Sequence, residues 1–341
     1  MPVRRECRMF TGRGILRAGR DNHVPGEPRT DDKGCPSGSR IVVKPPVQVM
    51  INGRAGGMGK PETREEISGL LDAAFPGVEI LFADPSTNVA DWAQRAVANG
   101  ATLVIGGGGD GTINSVAGAV VGSKAVLGVL PLGTLNHFAK DLGIPVELEK
   151  AVDVLTKGVV KAVDVGEVNG RVFLNNSGLG LYPSIVRIRE TKQREGLSKW
   201  PAAVYATMKA MSRYRMLSLF VNVDGREIER RTPIVFVGNN EYSMDGLGLP
   251  ARQGMNDGRL CLYIPHPTRR ASLVRFSIGA LLKNPKPGKE YDAIFATSFR
   301  IQSRHRHLSV SIDGEVEDMK TPLRFKTRPG ELRVMTPLAE G

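Results

Sequence analysis

A run of four glycines constrains the fold of this chain more than any other feature of its sequence. Residues 106–109 follow directly on the apolar segment 102–105 and precede a segment with helical spacing that begins near Thr112. Glycines at the end of a strand permit positive φ angles and close approach, so backbone N–H groups can converge on an anion. The helix that follows adds its positive N-terminal end. Because four glycines exceed what a tight turn requires, we interpret this strand-to-helix corner as an anion-binding site.

Strands and helices alternate on both sides of this corner. Short apolar runs predict strands, and segments with apolar residues at helical spacing predict helices. Strands are expected at residues 47–51, 78–82, 102–105 and 126–130, and helices at residues 61–74, 88–98, 112–121, 136–142 and 146–157. This alternation is typical of a parallel sheet covered on both faces. The sequence therefore predicts a nucleotide-binding α/β domain over residues 46–162.

Two further glycine-rich turns end predicted strands of this domain. They are residues 52–57 (Asn-Gly-Arg-Ala-Gly-Gly) and residues 130–136 (Leu-Pro-Leu-Gly-Thr-Leu-Asn). Ligands of open parallel sheets bind beyond the carboxyl ends of the strands, so the three turns predict one nucleotide crevice. Neither the G-x-x-x-x-G-K-[ST] nor the G-x-G-x-x-G fingerprint fits. The residues expected to bind the nucleotide are Asn52, Gly107, Gly108, Gly109, Asp110, Gly111, Thr112, Asn114, Gly133, Thr134 and Asn136.

The pattern changes at residue 163, where alternating apolar segments are separated by Asn-Gly and Asp-Gly turns. Such segments predict strands joined by hairpins. We expect strands at residues 163–168, 171–176, 217–223, 233–238, 259–264, 299–301, 308–312, 323–326 and 331–335, and one helix at residues 199–212. The sequence therefore predicts a strand-rich β-sandwich domain over residues 163–341. A return of its last segment to the first domain remains an alternative.

Charge and composition narrow the classes of function. The chain has 47 Lys and Arg against 35 Asp and Glu, a net charge of +12, which favours anionic partners such as nucleic acid, anionic lipid or phosphate. The basic residues fit no nucleic-acid-binding signature, so nucleic acid is not expected. Three widely spaced cysteines show no disulfide framework, and neither a signal sequence nor an apolar run of about 18 residues is visible. We expect a cytoplasmic protein in which residues 1–45 form a flexible basic tail.

The glycine-rich turns belong to a longer pattern that resembles a known family. GGGGDGTINSVAGAV (106–120), followed by LPLGTLNHFAKDLGIP (130–145), resembles the diacylglycerol kinase catalytic family, which includes bacterial diacylglycerol kinases, YegS-like lipid kinases, and sphingosine and ceramide kinases. The resemblance continues through DVGEVNGRVFLNNSGLGL (164–181) and SIDGEVEDMKTPLRFKTRPGELRVMTP (311–337), and covers residues 46–338. It implies a fold like those of NAD kinase and diacylglycerol kinase. It also implies ATP, Mg²⁺ and transfer of the γ-phosphoryl group to a lipid hydroxyl, that of diacylglycerol or a related lipid.

The resemblance implies catalytic roles for three carboxylates. Asp313 and Glu315, in Asp-Gly-Glu, are the candidates for activating the acceptor hydroxyl, with Asp110 as a rival base. A lipid hydroxyl is a weak nucleophile, and a positioned carboxylate helps by accepting its proton. An ordinary hairpin turn is the alternative for Asp313 and Glu315, and which carboxylate is the base stays open.

The resemblance also implies a magnesium site and shows two departures from the family pattern. Asp257 resembles the side-chain ligand of a magnesium site, with the carbonyls of Gly254 and Arg259 as companions, and an ordinary turn is the alternative. His137 stands where many members have Asp, which removes a carboxylate there. Ala83 stands in place of a nucleotide-contacting Thr, so one ATP contact is expected to be weaker.

A basic segment suggests contact with a membrane. Residues 187–215 carry eight Lys and Arg against Glu190 and Glu195. Interleaved with them are Trp200, Val204, Tyr205, Met208, Met211 and Tyr214. This composition suits peripheral attachment to an anionic leaflet, and a solvated helix with these side chains packed inward is the alternative. Arg269, Arg270 and Arg275 would extend the patch.

Two other functions remain open at this point. One is a kinase of a soluble acceptor such as NAD, and the other is a non-catalytic sensor of a nucleotide or lipid. The identity of the lipid and the oligomeric state, for which a homodimer is one option, do not follow from the sequence.

Overall fold

A computed structural model describes residues 8–11, 14–17, 46–55, 60–212, 216–243, 251–252, 254–265 and 291–338. The chain divides into two compact units. Residues 17–163 and 331–341 form one, here called the α/β unit, and residues 1–16 and 164–330 form the other, here called the β unit. The division after residue 163 lies next to the predicted domain boundary, and residues 331–341 group with the α/β unit.

Two short strands lie in the segment for which the sequence predicts a flexible tail. They are β1 (Arg8–Thr11) and β2 (Gly14–Arg17). The other residues of the predicted tail lie outside the described part of the chain.

The α/β unit alternates strands and helices. Its elements are β3 (Val47–Asn52), α1 (Pro61–Ala74), β4 (Ile80–Ala83), α2 (Val89–Ala98), β5 (Leu103–Gly108), α3 (Asp110–Val120), β6 (Val126–Pro131), α4 (His137–Asp141) and α5 (Leu148–Lys157). The strands are parallel, in the order β6-β5-β3-β4. Every residue of β5 and β6 is buried, as expected for strands covered on both faces. The predicted parallel-sheet domain is therefore confirmed.

The β unit is strand-rich and contains two helices. Its elements are β7 (Val159–Val168), β8 (Arg171–Phe173), β9 (Asn176–Gly180), α6 (Leu181–Arg194), α7 (Lys199–Ser212), β10 (Leu217–Val223), β11 (Arg226–Thr232), β12 (Ile234–Asn239), β13 (Tyr242–Ser243), β14 (Ala251–Arg252), β15 (Leu260–Pro265), β16 (Tyr291–Ala296), β17 (Ser298–Ser303), β18 (His307–Ile312), β19 (Glu315–Lys320) and β20 (Leu323–Thr336). Strands β7 and β20 begin in one unit and end in the other.

Two sheets supply the core of the β unit. One has the order β19-β18-β9-β12-β15-β16-β1-β2, and the other contains β11-β10-β17-β20. Side chains of both sheets form one buried cluster, to which Leu179 and Val237 belong from the first sheet and Val221 and Phe325 from the second. This shared core is that of a β-sandwich, as the sequence predicts.

Several predicted elements of the β unit need correction. Helix α6 was not expected, because its sequence carries Pro183 and few apolar residues, although Pro fits the first turn of a helix. The predicted strand over residues 171–176 ends at Phe173, and β9 begins at Asn176. The predicted strands at 323–326 and 331–335 are one strand, β20. The charged strands β11 and β19 were also missed, since their exposed faces break the apolar pattern.

Membrane-spanning helices are not found in the described part of the chain, where no helix combines sufficient length with sufficient apolarity.

Candidate functional site

Three turns of the α/β unit lie side by side at one edge of its sheet. Strands β3, β5 and β6 are parallel neighbours, with Ile51 opposite Gly107 and Gly108 opposite Pro131. The turns that follow these strands therefore meet where parallel strands end, as the sequence predicts. The glycines at 56 and 57, which belong to the first predicted turn, lie outside the described residues.

A side-chain hydrogen bond joins the first turn to helix α3. The Asn52 Nδ2 donates to the Thr112 Oγ1 at 3.0 Å, and the Asn52 Oδ1 accepts from the Arg54 N–H at 3.0 Å. The neighbouring Gly53 lies so close to β4 that a Cβ there would stand 2.8 Å from the carbonyl oxygen of Ala83. Ala83 thus contributes its carbonyl to this turn, and its methyl side chain offers no hydrogen bond to a ligand.

The turn after β5, at residues 106–109, and the turn after β6, at residues 130–136, touch through glycine backbone. A Cβ on Gly133 would stand 2.4 Å from the Gly109 Cα, so no side chain fits between the two turns. The Leu132 N–H donates to the Gly108 carbonyl at 3.0 Å. Asn136, at φ 50°, donates its Nδ2 to the carbonyls of Pro131 and Gly133, each at 2.9 Å. Thr134 is exposed on the same turn.

The amino end of helix α3 faces this contact. Its N-cap residue is Gly109, which has no side chain to cap the first turn. The Asp110 Oδ1 accepts the Phe138 N–H at 3.3 Å and so ties α3 to α4, whose first residue is His137. Gly111 and Thr112 complete the first turn of α3.

Two buried amide oxygens at this edge have no hydrogen-bond partner. They are the Asn114 Oδ1, on α3, and the Asn136 Oδ1. Buried polar atoms are rarely left without a partner, and a ligand that donates hydrogen bonds would satisfy both. A ribose, an amino group or metal-bound water donates in this way. Together with the glycine contact, these two oxygens fit a bound nucleotide.

One cation at the same edge, Arg64 of α1, was not among the site residues predicted from the sequence. Its guanidinium carbon lies 5.2 Å from the centroid of the Phe82 ring. Its Nη2 lies 3.4 Å from the position that a Cβ on Gly53 would occupy. The guanidinium therefore stacks beside the first turn, where a phosphate would find a positive charge.

Asp313 occupies a tight hairpin turn of the β unit, between β18 and β19. Asp313 and Gly314 have φ angles of 46° and 91°, as a type I′ turn requires. The Asp313 Oδ2 accepts from Leu174 N–H at 2.7 Å, and its Oδ1 accepts from the N–H groups of Asn175 and Asn176, both at 2.9 Å. This carboxylate thus holds the segment between β8 and β9, which explains why the predicted strand breaks there.

Burial and hydrogen bonding act in opposite directions on the Asp313 carboxyl. Burial raises its pKa to about 6, while the three backbone amides and the charge of Arg252 lower it. Glu315, by contrast, is exposed at the first residue of β19, opposite Ile312. Of the two carboxylates in Asp-Gly-Glu, Asp313 is committed to backbone and Glu315 is presented to solvent.

A buried polar cluster, missed by the sequence analysis, surrounds the amides that Asp313 binds. The Asn239 Nδ2 donates to the carbonyls of Asp164 and Leu174, at 2.8 and 2.9 Å. Arg252 donates its Nη2 to the Leu174 carbonyl at 2.6 Å, and its guanidinium stacks on Tyr242. Asp164 and Leu174 carried a sequence signal, since both lie in the segment 164–181 on which the family resemblance rests.

The predicted magnesium turn is organised by Asn240 and Asp164. The Asn240 Oδ1 accepts from Asp257 N–H at 3.2 Å, and the Asn240 N–H donates to the Arg259 carbonyl at 3.0 Å. The Asp164 Oδ2 accepts from the Gly258 N–H at 2.6 Å. The Asp257 carboxylate lies against Gly254, where a Cβ would stand 2.8 Å from its Oδ1.

The donor atoms of this turn fit a hard cation. A carboxylate and two carbonyl oxygens are the ligands that Mg²⁺ prefers, usually with several waters. Among the described residues no three His, Cys, Asp or Glu side chains cluster as metal ligands, so a cation here would rely on backbone oxygens. The Arg259 carbonyl already accepts one hydrogen bond and, with its second lone pair, can still bind a cation.

The basic segment forms helices α6 and α7, and its described side chains place Tyr205 and Met208 at the surface. Residues 213–215 and the arginines at 269, 270 and 275 lie outside the described residues.

Family models match both parts of the chain. Residues 46–168 match the diacylglycerol kinase catalytic domain, and residues 187–336 match the YegS C-terminal NAD kinase beta sandwich-like domain. A protein of Klebsiella pneumoniae named "Probable lipid kinase YegS-like" is 27% identical over 85% of this chain and 95% of its own length. A diacylglycerol kinase of Bacillus subtilis is 32% identical over 55% of this chain and 63% of its own length.

Solved structures show the same fold. The crystal structure of a diacylglycerol kinase from Bacillus anthracis aligns with a TM-score of 0.63 at 24% identity, over 86% of this chain and 97% of the other. At this identity the likeness concerns the fold, which agrees with the α/β and β-sandwich units described above.

Proposed function

The chain belongs to the diacylglycerol kinase catalytic-domain family, with the YegS-like lipid kinases among its relatives, and on that premise we propose that it is an ATP- and Mg²⁺-dependent lipid kinase. It would transfer the γ-phosphoryl group of ATP to a hydroxyl of diacylglycerol or a related lipid. The observation that carries this proposal is the contact of Gly109 with Gly133 beside the uncapped amino end of α3. A backbone-lined corner of this kind suits phosphate oxygens.

The residues at the edge of the α/β unit bind and orient the nucleotide in this proposal. The N–H groups of the first turn of α3 donate to phosphate oxygens. Asn114 and Asn136 accept hydrogen bonds through their buried amide oxygens. Positioning and electrostatic stabilisation account for most of the catalysis of phosphoryl transfer.

Glu315 is the proposed base. The acceptor oxygen forms a bond to the γ-phosphorus, the bond from that phosphorus to the bridging oxygen of ADP breaks, and the hydroxyl proton passes to the Glu315 carboxylate. Asp313 positions the neighbouring backbone, because its oxygens already accept three amides. Asp110 is the weaker candidate, since its Oδ1 accepts the Phe138 N–H.

Asp257 and the carbonyls of Gly254 and Arg259 would hold Mg²⁺ in the β unit. When bound, the cation supplies positive charge and Lewis acidity. We further propose a cytoplasmic location with peripheral attachment to the membrane in which the acceptor resides.

Replacing Glu315 tests the proposed chemistry. We expect Glu315→Gln to lower transfer of labelled phosphate from ATP to diacylglycerol vesicles by about 10²- to 10⁴-fold, which is the usual contribution of a general base. ATP affinity and thermal stability should stay unchanged. The matched control is Glu227→Gln, an exposed glutamate on β11, which should keep full activity. Activity of Glu315→Gln within about threefold of the wild type would remove Glu315 from the chemistry.

One observation keeps a soluble acceptor as the second candidate. The family model that matches residues 187–336 is described as NAD kinase beta sandwich-like. The same assay with NAD in place of vesicles separates the two, and mass spectrometry of products from a total membrane extract identifies the lipid. ATP binding without transfer to any acceptor would favour a sensor.

A further inference from the structure

In the hairpin of helices α6 and α7, the buried side chains described on α7 are all alanines. Ala202, Ala206 and Ala210 lie on one stripe of α7 and are buried, and Val186 of α6 is buried as well. Residues four apart share a helix face, so the three alanines line one inward stripe of the described part of α7. Such a face allows close approach of two helices but buries little apolar surface.

Three large apolar side chains of the hairpin are exposed instead. Met208 is 69% exposed, Tyr205 is 41% exposed and Leu197, in the connection between the helices, is 39% exposed. A helix that packs on a sandwich is expected to place its largest apolar residues inside. Of the large exposed apolar side chains in the described chain, these three lie on one hairpin, which marks the hairpin as an interaction surface.

Cations flank this apolar cluster. The Nζ atoms of Lys192 and Lys209 lie 5.1 and 5.5 Å from the centroid of the Tyr205 ring, one from each helix. Residues 181–212, which comprise the two helices and their connection, carry six Lys and Arg against two glutamates. One glutamate, Glu195, is paired with Lys192. Lysines beside an exposed aromatic ring match the boundary between acyl chains and anionic headgroups.

We propose that the outer face of the α6–α7 hairpin, formed by Leu197, Tyr205, Met208, Lys192 and Lys209, docks on an anionic lipid bilayer. Charge complementarity selects this partner, because the apolar side chains are bordered by lysines. This inference rests on the proposed function, which requires the enzyme to reach a lipid in the bilayer. Met208, Tyr205 and Leu197 enter the interface, and the two ammonium groups bind headgroup phosphates or carboxylates.

Vesicle binding by the full chain tests the surface. We expect tight co-sedimentation with phosphatidylcholine vesicles that contain about 30% phosphatidylserine, and weak binding to pure phosphatidylcholine. The double variant Lys192→Gln/Lys209→Gln should bind the anionic vesicles about tenfold or more weakly, since lysines near an anionic surface contribute to binding through their charge. Tyr205→Ser/Met208→Ser should weaken binding to a similar extent.

Matched controls exclude general effects of charge and apolar surface. Lys150→Gln/Lys157→Gln removes two exposed lysines of α5, and Leu81→Ser removes an exposed apolar side chain of β4. Both should bind vesicles as the wild type does. Equal binding by the hairpin variants and the wild type would overturn the proposal. So would a shift of the Tyr205→Ser/Met208→Ser variant from dimer to monomer with unchanged vesicle binding, which would make this face an interface between copies.

The test separates this inference from the proposed function. Hairpin variants should keep wild-type activity toward a short-chain diacylglycerol dispersed as monomers, and lose activity toward vesicles. A chain that phosphorylates lipid but binds vesicles through another surface would refute only the docking site. A chain that needs the hairpin for vesicle binding but phosphorylates no lipid would refute only the kinase.

Discussion

Two corners of the molecule gather backbone amides in opposite ways. The glycine corner of the α/β unit is formed by Gly109 and Gly133 beside the amino end of α3, and the Asp313 corner of the β unit is formed by Asp313 and residues 174–176. At the first, the N-cap residue of α3 is Gly109, which has no side chain to cap the amides of the helix. At the second, three consecutive amides of residues 174–176 all donate to the Asp313 carboxylate. One corner is built for an anion that arrives from solution, and the other already contains its anion. A cluster of amides therefore marks a binding site only when the chain supplies no acceptor for them.

The comparison assigns different roles to the acidic residues of the two corners. Asp313 satisfies amides that would otherwise be buried without partners, so its loss should affect stability first. The glycine corner depends on the absence of side chains, so its loss should affect ligand binding first. Glu315, two residues after Asp313, is exposed at the start of β19.

The largest effect should come from adding one methyl group to the glycine corner. We expect Gly133→Ala to weaken ATP binding by about 100-fold or more, because its Cβ would stand 2.4 Å from the Gly109 Cα and 2.6 Å from the Asn136 Oδ1. The two turns must separate to accommodate it. Titration calorimetry with ATP measures this loss.

Gly118→Ala is the control for this substitution. Gly118 lies within α3 and a Cβ there would meet nothing within 4 Å. Alanine should leave ATP binding unchanged and stabilise the helix by up to about 1 kcal/mol. If Gly133→Ala bound ATP as well as Gly118→Ala does, the glycine contact would have no part in nucleotide binding.

The second largest effect concerns stability at the Asp313 corner. We expect Asp313→Asn to lower the free energy of unfolding by about 1–3 kcal/mol, because the amide NH₂ of asparagine turns a donor toward backbone donors. Chemical denaturation measures the change. Asp224→Asn, at another hairpin turn with a φ of 49°, is the matched control and should be nearly neutral.

The pH dependence of this difference follows from the raised pKa of Asp313. The pKa of the Asp313 carboxyl is about 6 in the folded protein, above its ordinary value of 3.8. The carboxyl therefore contributes fully to the stability of the fold below pH 3.8, and this contribution is lost as the pH rises through 6. The stability gap between wild type and Asp313→Asn should therefore be widest near pH 4 and narrower at pH 7. A stability gap that widens with pH would mean that the three amides lower the pKa of Asp313 by more than burial raises it.

The two corners also differ in how far the sequence predicts them. The glycine corner follows from local patterns, since strand, glycines and helix are consecutive along the chain and parallel strands bring successive corners to one edge. The Asp313 corner joins residues 137 to 139 positions apart, which no local pattern reveals. For the same reason the cluster of Asn239, Arg252 and Tyr242 was missed, because its contacts form only when distant strands pair.

The smallest expected effect concerns the charge beside the glycine corner. Arg64 stacks on Phe82 next to Gly53, and a guanidinium there would attract phosphate oxygens. We expect Arg64→Gln to weaken ATP binding by about threefold to tenfold, in line with a partly exposed charge-assisted contact. Adenosine, which has no phosphate, should bind the variant and the wild type equally. Arg95→Gln, in the last turn of α2, is the control and should change neither affinity. Equal ATP affinities of Arg64→Gln and the wild type would leave the corner dependent on backbone amides alone, which would make its contrast with the carboxylate-filled Asp313 corner complete.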